Sequence, residues 1–159
     1  MIWNDAAILQ WLSRGGITPL DYDCINPASI DLRFSGKAFV SRVTGWEALP
    51  DGDLIMRPGD LYLMDTVEYV RMPPDVAGML NLKSSIGRMG IEHLHAGWFD
   101  PAFHGTATLE MANLSKRPVT IEKGRRIVQL VLMEMVAAPQ RSYIETGRYN
   151  GQTGPTKAR

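Results

Sequence analysis

The chain is built from apolar, β-branched segments that are all cut short. They read SIDLRF, KAFVSRV, DLYLMDTVEYV, VAGMLNL, TATLEMANL, PVTIE and RIVQLVLMEMV. Glycine or proline separates them, at Gly36, Pro50-Asp51-Gly52, Pro58-Gly59, Pro73-Pro74, Gly105, Pro118 and Gly124. Segments of this length and composition are strands, and glycine and proline at their ends supply the turns. Their succession without intervening helical patterns predicts an all-β sandwich, jelly roll or barrel and argues against alternating βαβ units. One exception opens the chain. Residues 5–14 read as a short amphipathic helix, capped by Asn4, carrying Ile8, Leu9 and Leu12 at helical spacing, and stopped by Gly15-Gly16.

At 159 residues the chain is long enough for one domain with a real core. Lysine plus arginine and aspartate plus glutamate number 17 each, so no bulk field favours a nucleic-acid polymer or a membrane. An anionic ligand must then be met by a local cluster. The single Cys24 excludes an internal disulfide framework and a multi-cysteine metal site, and fits a reducing compartment. The opening MIWNDAAILQWL lacks a basic leader, and no apolar run approaches the roughly 20 residues that cross a bilayer, so a soluble cytoplasmic protein is expected. From Pro139 the chain turns polar and ends RYNGQTGPTKAR. Residues 1–138 therefore read as the body, and 139–159 as a mobile tail that a ligand could tie down.

Two stretches carry chemistry. In LKSSIGRMG, residues 82–90, two serines stand between a lysine and an arginine directly after an apolar run. A solvated turn and an anion pocket both fit. In TATLEMA, a period of two puts Thr106, Thr108, Glu110 and Ala112 on one strand face and Ala107, Leu109 and Met111 on the other. Glu110 is then either a solvent-facing glutamate or a buried carboxylate that needs a cation, with Arg88 the candidate, or a raised pKa. A sheltered carboxylate beside an arginine and a hydroxyl is what general acid/base work at a water requires. Between the two stretches, Ala96-Gly97 offers close backbone approach to a ligand. Asp100-Pro101 marks a turn whose carboxylate either stabilises the bend or meets a ligand. Neither a Walker loop nor a Rossmann glycine turn occurs, and one cysteine cannot supply the zinc-deaminase signature. His93 and His95 could share a strand face, but no third metal ligand stands at suitable spacing, so structural histidines are expected.

The stretch KSSIGRMGIEHLHAGWFDPAFHGTATLEMANLSKRPVTIEKGRRIVQL resembles the core of the dCTP deaminase family, within the dCTP deaminase and dUTPase superfamily. Members read approximately R/K-S-S-L/I-A/G-R-x-G, then T-A-G-W/F-I/F-D-P-G, then T-L-E-x-x-N and P-G-x-x-I-x-Q-L. INPASIDLRF and YNGQTGPTKAR are similar to the family's flanking segments, so the likeness covers nearly the whole chain.

The resemblance implies a distorted β-jelly roll assembled as a homotrimer, with active sites between subunits and the C-terminal tail closing over the nucleotide. It implies zinc-independent deamination of dCTP. Glu110 would move the proton of a water attacking C4. Ser84 and the backbone at Ala96 would hold that water, and Arg88 would keep Glu110 ionised and aimed. Lys83 and Ser85, with Arg148 and Gln152 from the tail, match positions on the triphosphate. Asp100 matches the carboxylate near the 3′-hydroxyl. Gln129 and the backbone of Thr108, Leu109 and Glu110 match contacts to base and sugar, and Tyr143 a tail-side ligand contact. Mg²⁺ would be bound through the phosphates, with no zinc. HAGWFDPAF leans toward the bifunctional branch, in which dUTP is hydrolysed further to dUMP and pyrophosphate, and Asp100 helps the water at the α-phosphate. Departures fall at His95 in place of threonine, bearing on base choice and feedback, at Ala102 in place of glycine, and at Lys157-Ala158-Arg159 in place of a serine before the arginine. Lysine at position 83 fits members that also cleave the triphosphate. The competing readings are a dUTP pyrophosphatase without deaminase activity and a catalytically silent nucleotide-binding trimer.

Overall fold

A computed structural model of the chain describes residues 1–94 and 96–158. Helix α1 (Asp5–Leu12) is followed by β1 (Ile17–Thr18), β2 (Ile25–Asn26), β3 (Ser29–Arg42), β4 (Gly45–Ala48), β5 (Leu54–Met56), β6 (Leu61–Arg71) and β7 (Val76–Leu82). Then come the short helix α2 (Ser84–Gly87), β8 (Ile91–His93), β9 (Trp98–Phe99), β10 (His104–Asn113), β11 (Val119–Ile121), β12 (Arg126–Glu134) and the single turn α3 (Tyr143–Thr146). Every pairing between these strands is antiparallel among the described residues. The main sheet runs β8-β10-β6-β3-β12-β7-β9 and curls on itself as a distorted jelly roll, with β11 and β5 forming a separate ribbon. No helix among the described residues is long and apolar enough to cross a membrane.

Strand β3 joins two segments that the sequence shows as separate. Its first half pairs with β12 (Leu32 with Val128) and its second with β6 (Phe39 with Leu63), so one bent strand closes the curl. The bend lies at Gly36, where φ is +96° and a Cβ would stand 2.6 Å from an oxygen of Asp51. Only glycine fits there, which is why a breaker sits inside a strand. On α1, Asn4 caps as expected by accepting from the Ala7 N–H at 3.0 Å. The buried face is Ile8, Trp11 and Leu12, whereas Leu9 is 42% exposed, which corrects the sequence reading. The Trp11 indole donates to the Arg71 carbonyl and lies where a side chain on Gly16 would be, so Gly16 serves packing as well as the stop.

On β10 the period of two holds from Ala107 onward, whereas Thr106, expected on the same face as Thr108 and Glu110, is buried. Ala107, Leu109 and Met111 are buried, while Thr108, Glu110 and Ala112 are half-buried. Fully buried Leu109 faces the core with Met64, Ile121 and Leu130. Strand β6 bulges opposite Ala107, the register jumping from Thr106–Tyr69 to Thr108–Asp65. The bulge is held by Thr66, whose hydroxyl accepts from the Ala107 N–H and donates to the Glu68 carbonyl. Buried Glu68 in turn accepts from the backbone N–H and Nε of Arg33, at 2.7 and 2.6 Å. A bulge of this kind re-aims side chains next to it, and those next to it line the cleft described below.

Candidate active site

A cleft of about 370 Å³ opens on the half-buried face of β10, walled by Trp46, Leu63, Trp98, Phe103 and Tyr143. Glu110 reaches it from the strand, held by the register Glu110–Leu63 and by the Leu94 N–H on its own carbonyl. Its Oε2 is buried and has no hydrogen-bond partner among the described residues. Burial raises its pKa, its own backbone bond pulling the other way. A carboxylate placed so has a free lone pair to offer a water.

Ala96, Asp100, Thr108, Tyr143 and Gln152 line the same cleft. Asp100 accepts from the Trp98 indole at 3.1 Å, which orients both across the turn. Ala102, just beyond, has φ +65°, a region where glycine is at ease and alanine is strained. Gly97 behaves otherwise than expected. It is buried, its carbonyl accepts from the Leu80 N–H at 2.7 Å, and a Cβ on it would meet Leu80 at 2.8 Å. Its lack of a side chain serves strand packing against β7, and the exposed Ala96 is the residue that faces the cleft.

The tail lies over this face. Gly151 donates to the His104 carbonyl at 2.6 Å and Thr106 donates to the Gln152 carbonyl at 3.0 Å. The Gln152 side chain donates to the Thr106 carbonyl, and Thr156 N–H donates to Thr108 Oγ1 at 3.0 Å. Composition marks this segment as mobile, yet β10 supplies the backbone partners that hold it. The signal was the position of two threonines on the free face of TATLEMA.

The other expected residues lie apart. Ser84 and Ser85 are exposed on α2 and Arg88 at its C-cap, just after β7. Lys83 Nζ is 2.7 Å from Asp31 Oδ2, with Arg126 at 3.9 Å from the same oxygen and Asn26 donating to the other at 2.9 Å. Gln129, registered between Asp31 and Asn81, donates to Ser29 at 3.2 Å. Leu109 is core, so it can offer only its backbone. Arg148 is exposed and outside the cleft lining. Among the described residues no hydrogen bond or ion pair joins Ser84 or Arg88 to Glu110, so within one chain these groups stand apart. His95 and Arg159 lie outside the described residues.

Asp31 is the residue that sequence reasoning missed. Its signal was an acid flanked by Ile30 and Leu32 in a strand, where a carboxylate at 1% exposure has to find cations. A larger open groove, about 710 Å³ beside α1, contains none of the residues to which the motifs point.

Residues 2–135 match the family model described as dCTP deaminase-like. The whole chain is 34% identical to the dCTP deaminase, dUMP-forming, of Corynebacterium diphtheriae, covering 97% of that protein. Among solved structures it is similar to the 2′-deoxycytidine 5′-triphosphate deaminase of Agrobacterium tumefaciens, with TM-score 0.69 and 23% identity over 82% of this chain. The chain spans about half of that longer structure, 47%. It is also similar to the dUTPase of Staphylococcus bacteriophage 80alpha, with TM-score 0.55 and 16% identity over 79% of this chain and 93% of that one. These two likenesses speak for the fold.

Proposed function

We propose that this chain, which belongs to the dCTP deaminase-like family, hydrolyses dCTP to dUTP and ammonia and then dUTP to dUMP and pyrophosphate. The observation that carries the reading is Glu110, its Oε2 buried and unpartnered at the wall of an aromatic cleft. In the first step Glu110 takes a proton from a water attacking C4 of cytosine and delivers it to the ring nitrogen. The C4–N bond then breaks, and a second proton leaves with ammonia. Transfers of this kind supply roughly 10²–10⁴-fold, and fixed dipoles and orientation the rest. The aromatic wall keeps bulk water out. In the second step Asp100, fixed by Trp98, orients the water that attacks the α-phosphate.

Ser84 and Arg88 complete the site from a neighbouring copy. Their separation from Glu110 within one chain, together with exposed Met79, Leu94, Trp98 and Leu114 around β7, β8 and β9, supports a homotrimer whose clefts lie between subunits. Arg88 brought to Glu110 would lower a pKa that burial alone raises. Lys83, Ser85, Arg148 and Gln152 would meet the triphosphate, Tyr143 and Gln129 would flank the nucleoside, and residues 139–159 would act as the lid. Lys83 binds as a point charge and must exchange Asp31 for phosphate. Mg²⁺ would be held through the triphosphate oxygens, with little dedicated protein ligation. Bound there, the ion would neutralise phosphate charge. We place the enzyme in the cytoplasm, with free dCTP.

The test incubates the full chain with dCTP and Mg²⁺ and resolves ammonia, dUTP, dUMP and pyrophosphate. Ammonia with dUMP and pyrophosphate supports the bifunctional reading, and ammonia with dUTP alone removes the second step. Pyrophosphate from dUTP without ammonia from dCTP identifies a dUTPase, and neither product with retained nucleotide binding identifies a silent module. Glu110→Gln is expected to abolish ammonia release while nucleotide binding persists; turnover in that variant would remove Glu110 from its role.

A further inference from the structure

Asp65 has no part in the proposed chemistry, and its surroundings do not suit a carboxylate. It stands on β6 opposite Thr108 and on the same face as Leu63, at 3% exposure. Its Oδ1 has no hydrogen-bond partner among the described residues. Burial pushes its carboxyl up to about 6, against the pull of the Thr106 and Ser35 hydroxyls, the Lys37 cation and the Thr66 backbone N–H. The tail covers this face. Gly154 N–H donates to Thr106 Oγ1 at 3.1 Å and Thr156 N–H to Thr108 Oγ1 at 3.0 Å. The Lys157 ammonium lies 4.8 Å from the ring centre of Phe39, which pairs with Leu63.

We propose that Asp65 is a positioning residue for the C-terminal tail: ionised, it opposes seating of the tail, and protonated, it permits the tail to seat firmly. The reason is solvent. A seated tail takes water from the carboxyl, and a lifted tail returns it, so the seated state holds the Asp65 proton more tightly. By linkage, seating is strongest below the lifted-state pKa and weakens as pH rises through about 6. Near neutrality the tail is thus held less firmly than its backbone bonds alone would hold it, which favours opening and exchange of ligand. The inference rests on the tail's contacts with β10 and holds whichever nucleotide the cleft takes.

Other titratable or charged groups face this region. Lys37 approaches from β3, Glu110 lies two positions beyond Thr108, and Lys157 belongs to the tail. His104 meets the tail through its backbone, to Asn150 and Gly151. The test measures amide hydrogen-exchange protection of Gly154 and Thr156 in the full-length, nucleotide-free protein from pH 5 to 8, corrected for intrinsic exchange. Protection is expected to fall by up to about 10-fold across that range. The fall should persist in a Glu110→Gln, His104→Gln background, while the Leu130 amide in the core stays protected. Asp65→Asn should hold the acid-limit protection at every pH, and Thr106→Val should lose protection of Gly154 throughout. A flat wild-type profile, or an Asp65→Asn profile that follows wild type, overturns the proposal. If Asp65→Asn does not fold, the profile in the double-variant background decides alone.

Discussion

Ala102 holds a backbone conformation with φ +65°, and its methyl is 6% exposed. Glycine there would relieve strain of about 1–2 kcal/mol but would lose about 0.8 kcal/mol of methyl burial and about 0.5–1 kcal/mol of unfolded-chain entropy. These cancel, so Ala102→Gly should change stability by less than about 1 kcal/mol in denaturant titration. Ala102→Val, with its branched Cβ, should cost more than about 2 kcal/mol. For Asp65, whose carboxyl is raised from 3.8 to about 6, the folded chain gives up stability as pH climbs through that window. Asp65→Asn should therefore be more stable at pH 7 by on the order of 2 kcal/mol, an advantage gone by about pH 4. A urea series at the two pH values checks it. Glu110 was legible at this scale because a period of two in TATLEMA places it on the face away from Leu109. Asp31 and Asp65 were not, since an alternating strand also predicts outward carboxylates, whereas both are buried here.

Strands β6, β7, β10 and β12 follow from the sequence with small changes of boundary, because each is an apolar run ended by a breaker. Strand β3 was read as two, since Gly36 has the composition of a loop while its geometry is that of a bend within a ladder. On α1 the spacing pointed to Leu9, but Trp11 is the residue that enters the core. The end of β7 carries its own prediction. Lys83 shields a carboxylate with 1% exposure that Arg126 reaches only at 3.9 Å. Lys83→Met should cost stability as well as triphosphate affinity, about 2–3 kcal/mol given the exposure of the lysine. A denaturant curve without nucleotide isolates that part. In the tail, ending the chain before Gly147 removes the bonds of Gly151, Gln152 and Thr156 to β10. A raised KM for dCTP is expected, and an unchanged KM would contradict the lid.

At the scale of the molecule, the arrangement to be tested is the sharing of each cleft between copies. Glu110→Gln and Ser84→Ala proteins, each inactive alone, should regain a fraction of activity after being unfolded and refolded together. Pairing of intact halves then occurs in some clefts. No recovery, in a mixture shown by sedimentation to have exchanged subunits, would place Ser84 outside the cleft. The sequence pointed to both halves by motif, but a single chain's topology leaves α2 and β10 unjoined, and no periodicity encodes a surface between copies. The docked tail has a consequence of another kind. Where β10 is not paired to β8, Gln152 and Gly151 occupy the outer backbone groups of His104 and Thr106. A proteolytic nick upstream of them would uncover an unsealed sheet margin, and such margins recruit strands from other molecules. Clipped protein should therefore scatter light in solution well before it loses its fold.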